Sequence, residues 1–215
     1  MQKITVPITL KTNKPIGVIL AGGRGSRLGG LDKGLLEFNG RKLIELCLAN
    51  IQPQVSATII SANRNVSVYR QFVDNVVPDI SADYHGPLSG IFSVMCYLDQ
   101  QRRCGDLPPS DLLVVPCDMP FLPGDLVNRF YAARSRFNGG AERAVVAHDG
   151  ARLQPLCVLL PWSTKPLLEN FLQTGQRKAL SWIRHIEALT ADFSEEVAMF
   201  TNVNTLEDIQ LITHV

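Results

Sequence analysis

The segment Ile16-Gly17-Val18-Ile19-Leu20 runs straight into Ala21-Gly22-Gly23-Arg24-Gly25-Ser26-Arg27-Leu28-Gly29-Gly30-Leu31-Asp32-Lys33-Gly34. A short β-branched apolar run reads as a buried strand. The stretch from Leu20 to Gly34 holds six glycines, two arginines, one lysine and a single acid, Asp32. Glycine this dense is entropically expensive to order. The fold must therefore need bare backbone and positive charge directly after its first strand.

The rest of the chain says what surrounds that strand. Asn39-Gly40 sits between apolar ends and marks a tight turn. Leu43, Leu46 and Cys47 lead to Ile51 at helical spacing, and Pro53 predicts the stop of that helix. Thr58-Ile59-Ile60 and Asn75-Val76-Val77 read as further strands, the second closed by Pro78-Asp79. Ile91, Phe92, Val94, Met95 and Leu98 make a helical stripe after Gly86-Pro87. Leu112-Leu113-Val114-Val115 is a fourth buried strand, ending in Pro116-Cys117-Asp118. Strands alternating with helices predict a parallel sheet with crossover helices. Beyond residue 140 the pattern changes. Ala144–His148 and Leu156–Leu160 flank Asp149-Gly150-Ala151 and predict an antiparallel hairpin or excursion. Trp162, Leu167, Leu168, Phe171 and Leu172 suggest a helix, and Thr205–Ile212 a last one with Thr205 as N-cap. The expected fold is α/β: one domain over residues 15–215 with a Rossmann-like, mostly parallel sheet flanked by helices, preceded by a loose leader at 1–14.

Composition narrows the function. A formal net charge of +1 argues against a protein that grips nucleic acid or an acidic membrane through its overall field. The apolar run Thr5–Leu10 is too short and broken for a signal core or a membrane span. Five cysteines, an odd number without a C-x-x-C pair, suit reduced thiols in a cytoplasmic protein. The four histidines are scattered and form no local metal signature.

In open α/β sheets ligands bind outside the carboxyl ends of the strands. The glycine stretch, Ser61-Ala62-Asn63-Arg64, Asp79 and Asp118 each follow a strand, so they are expected on one rim. Two common phosphate-binding templates fail. A Walker loop needs Lys after its last glycine, but Leu31 follows Gly30. A dinucleotide fingerprint needs a third glycine where Leu28 stands, and an acid where the second strand ends in Ser61. Phosphate chemistry still fits. Glycines let backbone N–H groups approach an anion, while Arg24, Arg27 and Lys33 can neutralise a polyphosphate. Asp118 is a carboxylate suited to Mg²⁺, which takes one or two carboxylates plus substrate phosphates. That combination describes a nucleotidyltransferase better than a hydrolase.

Leu20-Ala21-Gly22-Gly23, followed by Ser26-Arg27-Leu28-Gly29-Gly30-Leu31-Asp32-Lys33, resembles the signature of the molybdenum cofactor guanylyltransferases. The likeness continues through Gly34–Gly40, Ala62-Asn63-Arg64, Asp83–Gly90, Pro116–Pro120 and Phe200–Thr205, so it covers nearly everything after residue 15. The resemblance implies a nucleotide-diphospho-sugar-transferase-like fold. It implies transfer of GMP from Mg·GTP to the terminal phosphate of molybdopterin, with release of pyrophosphate. GTP would then be contacted by Leu20, Ala21, Gly22, Gly23 and Lys33, and Mg²⁺ held by Asp118. Ser61 and Asp79 would lie in the guanosine site, with Asn63 beside them. Ser61 departs from the asparagine common in relatives, and Leu28 replaces the commoner methionine. Arg27, Lys33 and Asp118 would carry catalysis.

On the pterin side the resemblance implies Asn202 and Asn204, with Gln154, Arg177 and Lys178 as further candidates. Taken as bare residues, Arg177-Lys178 is equally a solvated helix start. Asn202 and Asn204 could equally cap the last helix. Three functions remain open from sequence. They are the guanylyltransferase, the cytidylyl analogue (whose relatives tend to carry Leu-Ala-Ala-Gly) and a degenerate nucleotide-binding carrier. Transient partners would be cofactor-insertion proteins or chaperones of the target molybdoenzymes.

Overall fold

Buried apolar runs and short turns become nine strands and six α-helices in the computed structural model, which describes residues 14–21, 32–80, 86–101, 111–137 and 142–203. The strands are β1 (Ile16–Leu20), β2 (Glu37–Phe38), β3 (Arg41–Lys42), β4 (Ala57–Ser61), β5 (Asn75–Val77), β6 (Asp111–Pro116), β7 (Val145–His148), β8 (Leu153–Pro161) and β9 (Leu189–Asp192). The helices are α1 (Leu43–Ile51), α2 (Val66–Tyr69), α3 (Pro87–Gln101), α4 (Leu126–Ser135), α5 (Lys165–Gln173) and α6 (Ala179–His185). Most of the expected leader, the glycine stretch from Gly22 to Leu31 and the expected helix at 205–212 lie outside the described residues.

Seven strands form one sheet in the order β5-β4-β1-β6-β8-β7-β9. β4, β5 and β6 are parallel to β1, β8 runs antiparallel, and β7 and β9 resume the original direction. The mostly parallel α/β sheet expected from sequence is therefore present, as is the hairpin of β7 and β8, which carries a register irregularity between Val146 and Ala147. β1 and β6 are buried along their whole length, which is why they read as unbroken apolar runs rather than alternating ones.

Strand side chains alternate between the two faces. Ile19, Ile60, Leu113 and Val115 pack with α1, α4 and Tyr69 of α2. Val18, Ile59, Leu112 and Val114 pack with α3, α5 and α6. Gln54 is a buried polar stitch in the first layer. Its Nε2 donates to the carbonyls of Asn50 and Pro123, and its Oε1 accepts the Val127 N–H. α1 ends at Ile51, and Pro53 sits in the 3-10 turn that follows. The Asn39-Gly40 turn joins β2 to β3 with positive φ at both residues (48° and 75°), as a two-residue hairpin turn requires. No helix among the described residues is long and apolar enough to cross a membrane.

The chain leaves β1 for β4 and β5 on one side and returns to β6 on the other. The strand order thus reverses at the β1–β6 junction, and a crevice opens at their carboxyl ends. Pairing continues just past those ends. The Ala21 N–H donates to the Ser61 carbonyl, the Ala62 N–H to Val77 and the Cys117 N–H to Leu20. The residues that follow each strand are therefore presented together.

Candidate active site

At the crevice the structure brings Lys33 to Asp118. The Lys33 Nζ donates to Asp118 Oδ2 at 3.0 Å, with the side chains 31% and 17% exposed. The lysine leaves a short 3-10 turn, Lys33–Leu35, and the aspartate follows β6. Each is shielded enough for its charge to act strongly and open enough to meet a ligand. Leu20 and Ala21 are buried at the end of β1, where the Leu20 carbonyl accepts the Cys117 N–H. Gly22, Gly23 and Arg27 lie outside the described residues.

On the β4–β5 side of the rim, Asn63 and Asp79 form a reciprocal pair. The Asn63 Nδ2 donates to Asp79 Oδ2 at 2.9 Å, and the Asp79 N–H donates to Asn63 Oδ1 at 2.7 Å. The next N–H, Ile80, donates to Ser93 Oγ on α3. Ser61 is placed differently: it is buried against Gly90 of α3, where a Cβ on Gly90 would stand 2.4 Å from the Ser61 Oγ. At the end of β4, Ser61 and Ala62 are buried, and the exposed residues begin at Asn63.

A second region adjoins Asp118. A cleft of ≈ 540 Å³ is lined by Pro116, Asp118, Met119, Arg152 to Leu156, Leu180, Arg184 and Asn202. The C-terminal segment reaches it because the Val203 N–H donates to the Asp118 carbonyl at 2.8 Å and the Val203 side chain is buried against Leu43. Asn202 is thereby fixed beside Asp118, while Asn204 lies outside the described residues. Gln154 also lines the cleft, and its Nε2 donates to Asp149 Oδ2 at 2.5 Å. Asp149 additionally accepts the N–H groups of Ala151 and Arg152. Burial raises the Asp149 carboxyl, but these donors outweigh it and hold the group below the usual aspartate value.

Arg177 is directed elsewhere. Its Nη1 donates to the Leu172 carbonyl at the end of α5 and to the Gln176 carbonyl. Lys178 is the N-cap residue of α6. Neither is among the cleft-lining residues; the cleft's cations are Arg152 and Arg184. Sequence reasoning missed both. Leu180 and Arg184 are four apart on α6, so they share one helix face, and that spacing was the available signal.

The donor set fits a divalent cation held jointly with a nucleotide. Among the described residues no three His, Cys, Asp or Glu side chains cluster to hold a metal by themselves. Asp118 supplies a hard carboxylate oxygen, and the Lys33 ammonium resting on it shows that the position accepts a cation. Mg²⁺ needs little more from protein when phosphates provide the rest. The neighbouring thiols do not compete. Burial, with Asp118 adding, pushes Cys47 up to about 12 and Cys117 well above its usual range, so both stay protonated and inert. The cysteines described, Cys47, Cys96, Cys117 and Cys157, are all free.

Comparison with known proteins agrees with this geometry. Residues 17–190 match the MobA-like NTP transferase domain. Molybdenum cofactor guanylyltransferase of Photobacterium profundum is 42% identical over 193 residues, spanning 90% of this chain and 92% of the relative. The Shewanella amazonensis protein of the same name is 40% identical over 196 residues, spanning 91% and 94%. Molybdopterin-guanine dinucleotide biosynthesis protein A from Archaeoglobus fulgidus superposes with a TM-score of 0.69 at 20% identity, over 93% of this chain and 97% of that one. The chain is a nucleotidyltransferase and belongs to the molybdenum cofactor guanylyltransferase family of MobA-like NTP transferases.

Proposed function

We propose that this protein transfers GMP from Mg·GTP to the terminal phosphate of molybdopterin, forming molybdopterin guanine dinucleotide and pyrophosphate. The observation that carries the reading is the Lys33–Asp118 pair at the sheet's switch point, opening directly into a cleft lined by Arg152, Gln154, Arg184 and Asn202. An anion-accepting lysine and a metal-accepting carboxylate stand on the nucleotide side. A cleft with apolar walls, amides and two arginines adjoins them, suited to a flat polar ring system bearing a phosphate.

In this reading Leu20 to Gly23, Lys33, Asn63 and Asp79 hold the nucleotide, with Ser61 packing beneath them. Arg27 and Lys33 neutralise the triphosphate. The N-terminal half of the domain thus serves GTP and the C-terminal part serves the pterin, where Gln154, Asn202 and Asn204 bind. Arg177 and Lys178 then act at the margin of that site rather than inside it. Asp118 holds Mg²⁺, which supplies neutralisation of the phosphate charge when bound.

The attacking group is a phosphate monoester with a second pKa of about 6, so it is largely dianionic at neutral pH. It needs no general base. Its oxygen forms a bond to the α-phosphorus as the bond to the bridging oxygen breaks, and pyrophosphate leaves with that electron pair. Catalysis is then positioning plus charge stabilisation. Free thiols and the absence of a spanning helix among the described residues suit a cytoplasmic setting, where cofactor-insertion proteins would receive a labile product.

The test is to incubate the purified chain with Mg²⁺, molybdopterin and either GTP or CTP and to identify the dinucleotide. Product with GTP alone is expected, and Asp118→Asn should lower its rate at least about 100-fold, the scale of losing one key electrostatic group. Product with CTP alone would replace guanylyl by cytidylyl transfer. No product with either nucleotide would leave a carrier module.

A further inference from the structure

The carboxylate of Asp32, directly before Lys33, is engaged at both oxygens. The Tyr69 hydroxyl donates to Oδ1 at 2.5 Å, and the Asn65 Nδ2 donates to Oδ2 at 3.0 Å. Both donors come from α2 and its N-cap. Asn65 adopts a left-handed backbone (φ 49°), a conformation asparagine tolerates better than most residues. Tyr69 is fully buried. Burial pushes its phenol far above the usual range, with Cys117 and the Asp32 hydrogen bond adding to it. The hydroxyl therefore keeps its proton and donates the hydrogen bond to Asp32.

Gly34 completes the arrangement. A Cβ there would stand 2.5 Å from the Tyr69 hydroxyl oxygen and 3.4 Å from the Cys117 Sγ. Only a bare backbone lets the phenol pass to Asp32 while the turn rests on the residue before Asp118. The Leu35 and Leu36 N–H groups close that turn on the carbonyls of Asp32 and Lys33.

We propose that Tyr69 and Asn65 are positioning residues for Lys33: by latching Asp32 to α2 they fix the 32–35 turn so that the lysine ammonium meets the nucleotide phosphates beside Asp118. The inference rests on the reading of Lys33 as a triphosphate ligand. A lysine has four rotatable side-chain bonds, so its ammonium is well placed only if its Cα is held. Asp32 thereby serves as an anchor, with both oxygens committed to α2.

The experiment compares Tyr69→Phe, Asn65→Gly, Lys33→Ala and the double variant Tyr69→Phe/Lys33→Ala in steady-state assays with GTP and molybdopterin. Thermal midpoints are measured alongside. Tyr69→Phe keeps the buried ring, and Asn65→Gly keeps the left-handed backbone, so both should fold. Each is expected to lower kcat/KM for GTP about 10- to 100-fold, the scale of a small misplacement at a reacting centre. The double variant is expected to be no worse than Lys33→Ala, because coupled residues are not additive. If Tyr69→Phe and Asn65→Gly lower only the thermal midpoint, or if the double variant shows the full product of the two losses, the latch is wrong while Lys33 keeps its role. Wild-type turnover by Lys33→Ala would overturn the reading of Lys33 and the latch with it.

Discussion

At the residue scale the site depends on what Gly90, like Gly34, leaves open. Gly90 lies inside α3, where alanine would ordinarily favour the helix by about 1 kcal/mol. Its place is taken up by Ser61: a Cβ would approach the Ser61 Oγ to 2.4 Å and its Cβ to 3.3 Å. Ser61 is a short, buried side chain on a central strand and has little room to yield. Overpacking of that kind costs about 1–3 kcal/mol. We expect Gly90→Ala to lower the thermal midpoint by a few degrees, at about 2–4 °C per kcal/mol for a chain this size. Ser61→Ala/Gly90→Ala should return to the wild-type midpoint or above it. A rise in the single variant would refute the close approach. This also explains what was legible residue by residue. Lys33 and Asp118 could be picked out because each directly follows a strand or loop whose composition betrays it. The burial of Ser61 depends on α3 lying across β4, a contact between segments far apart in sequence.

At the scale of elements, β1, β4, β5 and β6 were legible as short apolar runs, β1 and β6 most plainly because they are buried along their whole length. α4 and β9 were not read. α4 mixes polar and apolar residues with little sided pattern, and it is fixed by contacts such as the buried Arg134–Asp111 ion pair to β6 at 2.8 Å. β9 is four residues long with Leu189 and Ala191 buried and Thr190 and Asp192 exposed, too short a pattern to stand out. The β7–β8 hairpin was legible from Asp149-Gly150, and Asp149 is what organises it. Because the folded-state carboxyl lies below its usual value, it contributes stability above the unfolded value of about 3.9. That contribution is lost as pH falls through the lower folded value. Asp149→Asn should therefore destabilise the protein at pH 7 by about 1–2 kcal/mol, as loss of a charge-assisted acceptor does. The gap between wild type and variant should close as pH drops below about 4. Thermal midpoints from pH 7 downward check this. A gap that stays constant or widens in acid would show that the charge on Asp149 is not what holds the turn.

For the whole molecule, the sheet order brings two groups of residues toward Asp118 from opposite sides. β4, β5 and the 32–35 turn approach the switch point from one side. The hairpin, α6 and the segment ending at Val203 approach Asp118 from the other. The sheet order makes this unavoidable, since β8, β7 and β9 extend beyond β6, away from β4 and β5. Arg177 and Lys178 were candidates on that far side, beside Gln154, Asn202 and Asn204, through the family resemblance; as bare residues they read equally as a solvated helix start. The Leu172 carbonyl near the α5 C-terminus accepts a hydrogen bond from the Arg177 guanidinium, a common arrangement for a cation at a helix end. The arginines that line the cleft, Arg152 and Arg184, come from different elements 32 residues apart in the chain, a juxtaposition no local pattern reveals. If the two sides divide the substrates, the variants must divide them too. Arg152→Ala and Arg184→Ala should each raise KM for molybdopterin by about 10-fold, the cost of roughly one charge-assisted hydrogen bond. KM for GTP should stay within about twofold, since neither residue lies on the nucleotide side. Arg184→Lys should recover only part of the loss, because an ammonium lacks the planar fork that grips phosphate at two points. Parallel increases in both KM values would mean that the cleft belongs to the nucleotide, and the division of the domain would have to be redrawn with Asp118 inside a single binding site rather than between two.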